Sequence, residues 1–242
     1  MDKKRSGWMT GILLACCLAA ALAGCGGGGG GNDGPGPSPR PTSTPQSQAI
    51  DFSDDFSDPT SGWDVHEIGG DYEYGYSAGV YYFRMSQAGE RASSSKFRRI
   101  LQNYQVEVDC GTNGDNSPIC GIYFNSADTP DNYSEFYVFA IAPKRKTFGV
   151  KVYERDGGEW SRLRTLVYTQ SEWINTTDPN RLKIEMNNGT AVFYINGQQV
   201  YTTTVITHSD GESVGFYVSN DFDGYTDAWF DNFHVVGTEL VP

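Results

Sequence analysis

Histidine is almost missing from this 242-residue chain. The three present, His66, His208 and His234, show no metal-ligand or catalytic spacing. There is no phosphate loop, so one common route to an enzyme assignment is closed. Basic residues are also few: 18 Lys and Arg stand against 30 Asp and Glu, a formal charge of −12. Such an acidic chain repels nucleic acid and anionic membrane surfaces, and neither is expected as a partner. No segment keeps a helical period, which leaves strands as the building material.

What is present begins with an address. Lys3, Lys4 and Arg5 precede an apolar run from Trp8 to Ala23 that is short for a membrane span and rich in small residues. It closes on Leu22-Ala23-Gly24-Cys25, which resembles the lipobox of bacterial lipoproteins. The resemblance implies removal of residues 1–24 as a signal peptide and a lipid on Cys25, whose acyl chains contribute roughly 0.8 kcal/mol per buried CH₂ to anchoring. Cleavage would remove three cations and one anion and leave a charge of −14. The expected address is a bacterial membrane, with the protein facing the periplasm or the cell exterior and touching lipid only through the anchor. Residues 25–49, six glycines followed by Pro, Ser, Thr and Gln, read as a disordered tether.

Residues 50–242 are long enough for one core. Two of the five cysteines leave with the signal and Cys25 takes lipid, so Cys110 and Cys120 are expected to pair in an oxidising compartment. They sit at facing ends of two apolar stretches, 104–110 and 120–124, where a cystine would clamp a hairpin. Loop entropy makes it worth roughly 2–3 kcal/mol.

The clearest structural signal runs from Arg181 to Thr203. Leu182, Ile184 and Met186 alternate with Arg181, Lys183 and Glu185, and Asn188-Gly189 and Asn196-Gly197 then supply two tight reversals. Three antiparallel strands are predicted. About a dozen short strands follow from the same reasoning elsewhere, including 72–76 with 80–85, 133–141, 148–154 with 159–167, 213–219 and 228–236. Asp54-Asp55-Phe56 and Ser61-Gly62-Trp63 read as an edge strand and a turn that brings an aromatic to the core. The fold class is an all-β, two-sheet antiparallel sandwich.

Asp54-Asp55-Phe56 with Gly62-Trp63, then Phe193-Tyr194-Ile195-Asn196-Gly197, then Phe230-Asp231-Asn232-Phe233, resemble in their order the concanavalin A-like jelly-roll domains. The laminin-G-like and 3-keto-disaccharide hydrolase-like groups are the nearer likeness. These are turn and core motifs, so the resemblance implies fold more than function. That superfamily includes lectins, carbohydrate-binding modules, glycoside hydrolases and adhesion modules, and its usual ligand groove is the exposed face of a concave sheet.

Strand parity proposes which side chains line such a groove: Glu107, Asp109, Tyr123, Asn125, Tyr137 and Tyr153. Aromatic planes with interspersed carboxylates and amides suit sugars, whose C–H faces pack on rings while hydroxyls need hydrogen-bond partners. Tyrosines on exposed sheet faces also serve ordinary cross-strand packing. Retaining glucanases of this fold carry Glu-x-Asp-x-x-Glu. Here Glu107-Val108-Asp109-Cys110-Gly111-Thr112 starts that way and ends in Thr112, which cannot act as a carboxylic acid. The reading is therefore a non-catalytic glycan binder. A glycoside-acting hydrolase or an adhesion module binding an envelope protein are the alternatives. No cofactor is implied, apart from a calcium ion for which Asp221, Asp223, Asp227 and Asp231 are candidate ligands. Asp54 and Asp55 would join Asp231 if the first and last strands pair.

Overall fold

The alternating and hairpin patterns resolve into fourteen strands in a computed structural model that describes residues 46–66, 72–94, 103–114, 117–128, 134–156, 159–205, 207, 213–220 and 224–241. In chain order they are β1 Gln46–Asp54, β2 Tyr72–Ser77, β3 Val80–Met85, β4 Gly89–Ser94, β5 Tyr104–Gly114, β6 Ile119–Asp128 and β7 Ser134–Ala142. Then follow β8 Thr147–Asp156, β9 Glu159–Gln170, β10 Asn180–Asn187, β11 Thr190–Ile195, β12 Gln198–Thr204, β13 Ser213–Asn220 and β14 Thr226–Val241. A single 3-10 turn, Pro143–Arg145, joins β7 to β8. Residues 1–45, with the expected signal peptide, Cys25 and most of the expected tether, lie outside the described residues. The sandwich begins earlier than predicted, because Gln46 to Ala49 pair with Val241 to Thr238 and belong to β1 rather than to a linker.

Every neighbouring pair is antiparallel, in two sheets. The eight-stranded sheet runs β12-β11-β10-β5-β14-β3-β2, with β1 lying along the second half of β14. The six-stranded sheet runs β4-β13-β6-β7-β8-β9. The meander predicted around Arg181 is present. Asn188 and Gly189 take φ of 46° and 75°, and Asn196 and Gly197 take 51° and 80°, the paired left-handed conformations of a two-residue hairpin turn.

Between the sheets the inward positions are sealed: Val106, Val108, Ile122, Phe139, Val150, Leu182, Ile184 and Phe193 are fully buried. One end of this core is aromatic. Trp63 stacks on Phe216 at 4.6 Å between centroids, and Phe216 on Phe230 at 4.3 Å. Asp54 organises that end, accepting hydrogen bonds from the Phe56 backbone N–H at 2.8 Å and from Trp63 Nε1 at 2.9 Å. The first and last strands do pair, yet this commits Asp54 to a turn and an indole rather than to an ion.

Cys110 and Cys120 are bonded, as expected, but they do not clamp a hairpin. Cys110 belongs to β5 in one sheet and Cys120 to β6 in the other, so the cystine ties the two layers through the core. β5 continues to Gly114 in one sheet and β6 starts at Ile119 in the other, where the sequence shows only a polar loop over 111–119.

Candidate saccharide-binding face

The six residues proposed from parity do not assemble into one groove. Glu107 and Asp109 lie on the outer face of the eight-stranded sheet. Tyr123 and Tyr153 lie on the outer face of the six-stranded sheet, packed with Val138, Ala140 and Tyr217. Tyr137 points the other way and is sealed in the core against Phe124. In β7 both faces are apolar, so parity had nothing to distinguish them; Phe136, Val138 and Ala140 are the outward set. Asn125 sits where the β6–β7 register shifts, at φ 56°, and is fully buried. The bulge breaks the alternation that had placed it outside.

On the eight-stranded face the charges satisfy one another. Arg181 holds Asp109 through two hydrogen bonds of 2.8 and 2.9 Å, and Asn232 Nδ2 donates to the same carboxylate at 3.0 Å. Burial pushes the Asp109 carboxyl up, but the bonds from Arg181 and Asn232 outweigh it and leave the pKa below the usual carboxylate value. Glu107 lies 3.7 Å from both Arg181 and His234, and His234 meets Asp51 at 2.9 Å. Lys183 pairs with Glu185 at 2.6 Å, which also accepts from Tyr194 Oη at 2.8 Å.

Of the calcium candidates, Asp227 falls in with this pattern. Asp227 is paired with Arg84 at 3.0 Å, and Arg84 also holds Glu73 at 2.6 Å. Asp231 stands opposite Asp109 in register, and its pKa is raised by burial, with Asp109 and Asp55 adding repulsion. Asp221 and Asp223 lie outside the described residues. Among the described residues no three His, Cys, Asp or Glu side chains converge to hold a metal ion.

The opposite face has a different construction. Register places Tyr217, Gly121, Ala140, Gly149 and Tyr168 in one transverse row across β13, β6, β7, β8 and β9. Its middle is made of the smallest residues and its ends of tyrosines, which leaves a shallow trough that is buried from Tyr217 to Gly149 and open to solvent at Tyr168. A Cβ on Gly121 would lie 2.3 Å from the Phe139 carbonyl oxygen, so glycine is required for β6 and β7 to approach there. A Cβ on Gly149 would meet Tyr168 Cδ2 at 3.3 Å, which shows the tyrosine ring lying against that glycine.

Tyr168 stays 54% exposed, an aromatic plane open to solvent, and Thr147 Oγ1 approaches its hydroxyl at 3.3 Å. A shallow depression opens beside it, lined by Ala140, Thr147, Gly149, Lys151, Tyr168 and Tyr217 among others. At the end away from the β7–β8 turn, near the start of β7, the face is walled by Phe136 stacked on Tyr153 at 4.8 Å, and the Tyr153 and Tyr217 hydroxyls lie 2.9 Å apart. Sequence reading missed Tyr168 because β9 was ended at Val167, before the polar Thr169-Gln170. The available signal was a mid-strand glycine at an outward position of β8, which asks for a large neighbour on the next strand.

No protein-family model matches the chain, and no curated protein matches its sequence. Solved structures match throughout the sandwich. A Bacillus subtilis protein of unknown function with a galectin-like fold is 11% identical, covering 81% of this chain and 99% of its own, with a TM-score of 0.57. A Bacillus licheniformis β-glucanase is 12% identical, covering 77% and 97% respectively, with a TM-score of 0.53. The κ-carrageenase of Zobellia galactanivorans is 13% identical, covering 82% and 98%, with a TM-score of 0.54. At these identities the likeness is one of fold. The chain is an all-β sandwich of two antiparallel sheets with the jelly-roll architecture of these neighbours, which supports the concanavalin A-like assignment.

Proposed function

We propose that this chain is an exported, lipid-anchored protein whose sandwich binds carbohydrate, without turnover, in the trough of the six-stranded sheet. The observation that carries the reading is Tyr168, a half-exposed ring laid against Gly149 at the edge of a trough floored by small residues. A sugar ring's C–H face packs on such a plane, and the exposed Tyr168 hydroxyl, approached by Thr147 Oγ1, is placed to meet its hydroxyls. The neighbours named above include a β-glucanase and a κ-carrageenase, which agrees with a saccharide as the ligand class.

Binding is preferred to hydrolysis because Glu107 and Asp109, the carboxylates the sequence offers for acid and base work, stand on the other sheet and are engaged by Arg181, Asn232 and His234. The anchor belongs to the same proposal: Cys25 carries lipid, and the tether displays the sandwich away from the membrane. The test is a glycan array probed with wild-type chain and Tyr168→Ala, followed by product analysis on any sugar bound. Binding that depends on Tyr168 with no product supports the proposal. Product release would move it to the hydrolase alternative.

A further inference from the structure

The depression in the trough carries one charge among the described residues, and no described carboxylate is paired with it. Lys151 leaves the outer face of β8 two residues beyond Gly149, between Val138 of β7 and Thr165 of β9. Its side chain is part-buried, and it is the sole charged side chain among the described residues lining the depression. No described carboxylate pairs with it. On the eight-stranded face Arg84, Arg181 and Lys183 each hold a carboxylate at 2.6–3.0 Å. A protein with 30 acidic residues and 18 basic ones has ample means to neutralise a lysine, yet this one faces an apolar trough beside the exposed tyrosine.

We infer that the ligand is an acidic saccharide, its carboxylate or sulfate met by Lys151 Nζ while a neighbouring sugar ring packs on Tyr168. A part-buried ammonium beside apolar walls has lost some of its water, and an incoming anion restores its interactions by a charge-assisted hydrogen bond. The lysine stem covers the trough wall and leaves the charged tip free to reach along it. Opposite charge on ligand and site favours an acidic ligand over its neutral counterpart. The negative charge of the rest of the chain makes a single cation at the trough a discriminating feature, since acidic sugars meet repulsion on the other surfaces.

This inference rests on the binding reading above, and one experiment separates them. The full chain, kept in mild detergent, is titrated calorimetrically with oligogalacturonides and with their methyl esters. A parallel series uses chondroitin sulfate oligosaccharides and their desulfated counterparts. Wild type is compared with Lys151→Met, Lys151→Arg and Tyr168→Ala, with near-ultraviolet circular dichroism confirming that each is folded. The expected result is binding of at least one acidic series about tenfold or more tighter than its neutralised counterpart, a difference of about 1.4 kcal/mol. Lys151→Met should bring the acidic probe down to the neutral level, and Lys151→Arg should restore it. Which series responds distinguishes carboxylate from sulfate. Equal affinity for acidic and neutralised probes, still dependent on Tyr168, would overturn the acidic assignment and leave the site standing. Binding unaffected by Tyr168→Ala, or no binding of any probe, would remove the site and the inference together.

Discussion

Tyr168 lies against Gly149, its register partner across β8 and β9, so closely that a methyl group at position 149 would stand 3.3 Å from the ring. The contact fixes the one broad aromatic plane that the described part of the six-stranded face offers to solvent. Gly149→Ala is therefore expected to tilt Tyr168 and weaken saccharide binding several-fold. Reduced freedom in the unfolded chain, about 0.4–1 kcal/mol, offsets the local strain, so the melting temperature should move little. Titration beside a thermal melt checks both halves.

Gly121 has no such latitude. The group a Cβ would meet, at 2.3 Å, is the backbone carbonyl of Phe139, which cannot swing away. Gly121→Ala should destabilise the fold by about 1–3 kcal/mol, read as a lower urea midpoint.

Asp54 predicts a different loss. Replacing it with alanine leaves the buried Trp63 N–H without its acceptor and frees the turn at Phe56. The cost should be about 1–3 kcal/mol, with a change in tryptophan fluorescence because the indole is no longer held against Phe216.

How much of this was legible in the sequence depended on whether each residue's two alternatives looked different. Asn188-Gly189 and Asn196-Gly197 specify their turns because few other pairs take two successive positive φ angles, and the meander around them is as predicted. Leu182, Ile184 and Met186 alternate with charged residues, so their facing was plain. Tyr137 alternates with Phe136 and Val138, and apolar residues on both sides carry no parity signal. Asn125 was misplaced by a bulge that one extra residue creates and no composition rule marks. Cys110 and Cys120 were paired correctly but assigned to one hairpin, because a crossover between sheets and a turn within one look alike at a polar loop. The trough itself is a product of register across five strands, which only the fold supplies.

The cystine gives a prediction of its own. Since it joins the layers inside the core, the Cys110→Ala, Cys120→Ala double variant should lose about 2–3 kcal/mol by loop entropy, with further loss from the small core space vacated. Denaturation of wild type with and without reductant should show the same ordering.

Asp109 and Asp231, opposite each other on β5 and β14, predict contrary responses to acid. The folded pKa of Asp109 is lowered, so its contribution is present above the unfolded value of about 3.9 and is lost as pH falls through the folded value. Arg181→Met should cost about 1 kcal/mol at neutral pH once solvent screening is allowed for, and nothing in strong acid. The folded pKa of Asp231 is raised, so its penalty is absent below about pH 3.9 and complete above the folded value. Asp231→Asn should therefore raise the melting temperature at pH 7, and the gain should shrink as pH falls toward 4. Melts of the three proteins across that range check the opposite signs.

The most direct test of the account is saccharide binding by wild type, Tyr168→Ala and Tyr168→Phe. The exposed ring can be removed without opening the core, so fold and site separate cleanly. The account predicts at least about tenfold weaker binding in Tyr168→Ala, with Tyr168→Phe retaining most of the affinity because the plane is kept. Equal affinity in all three folded proteins would contradict it and place the ligand elsewhere on the sandwich.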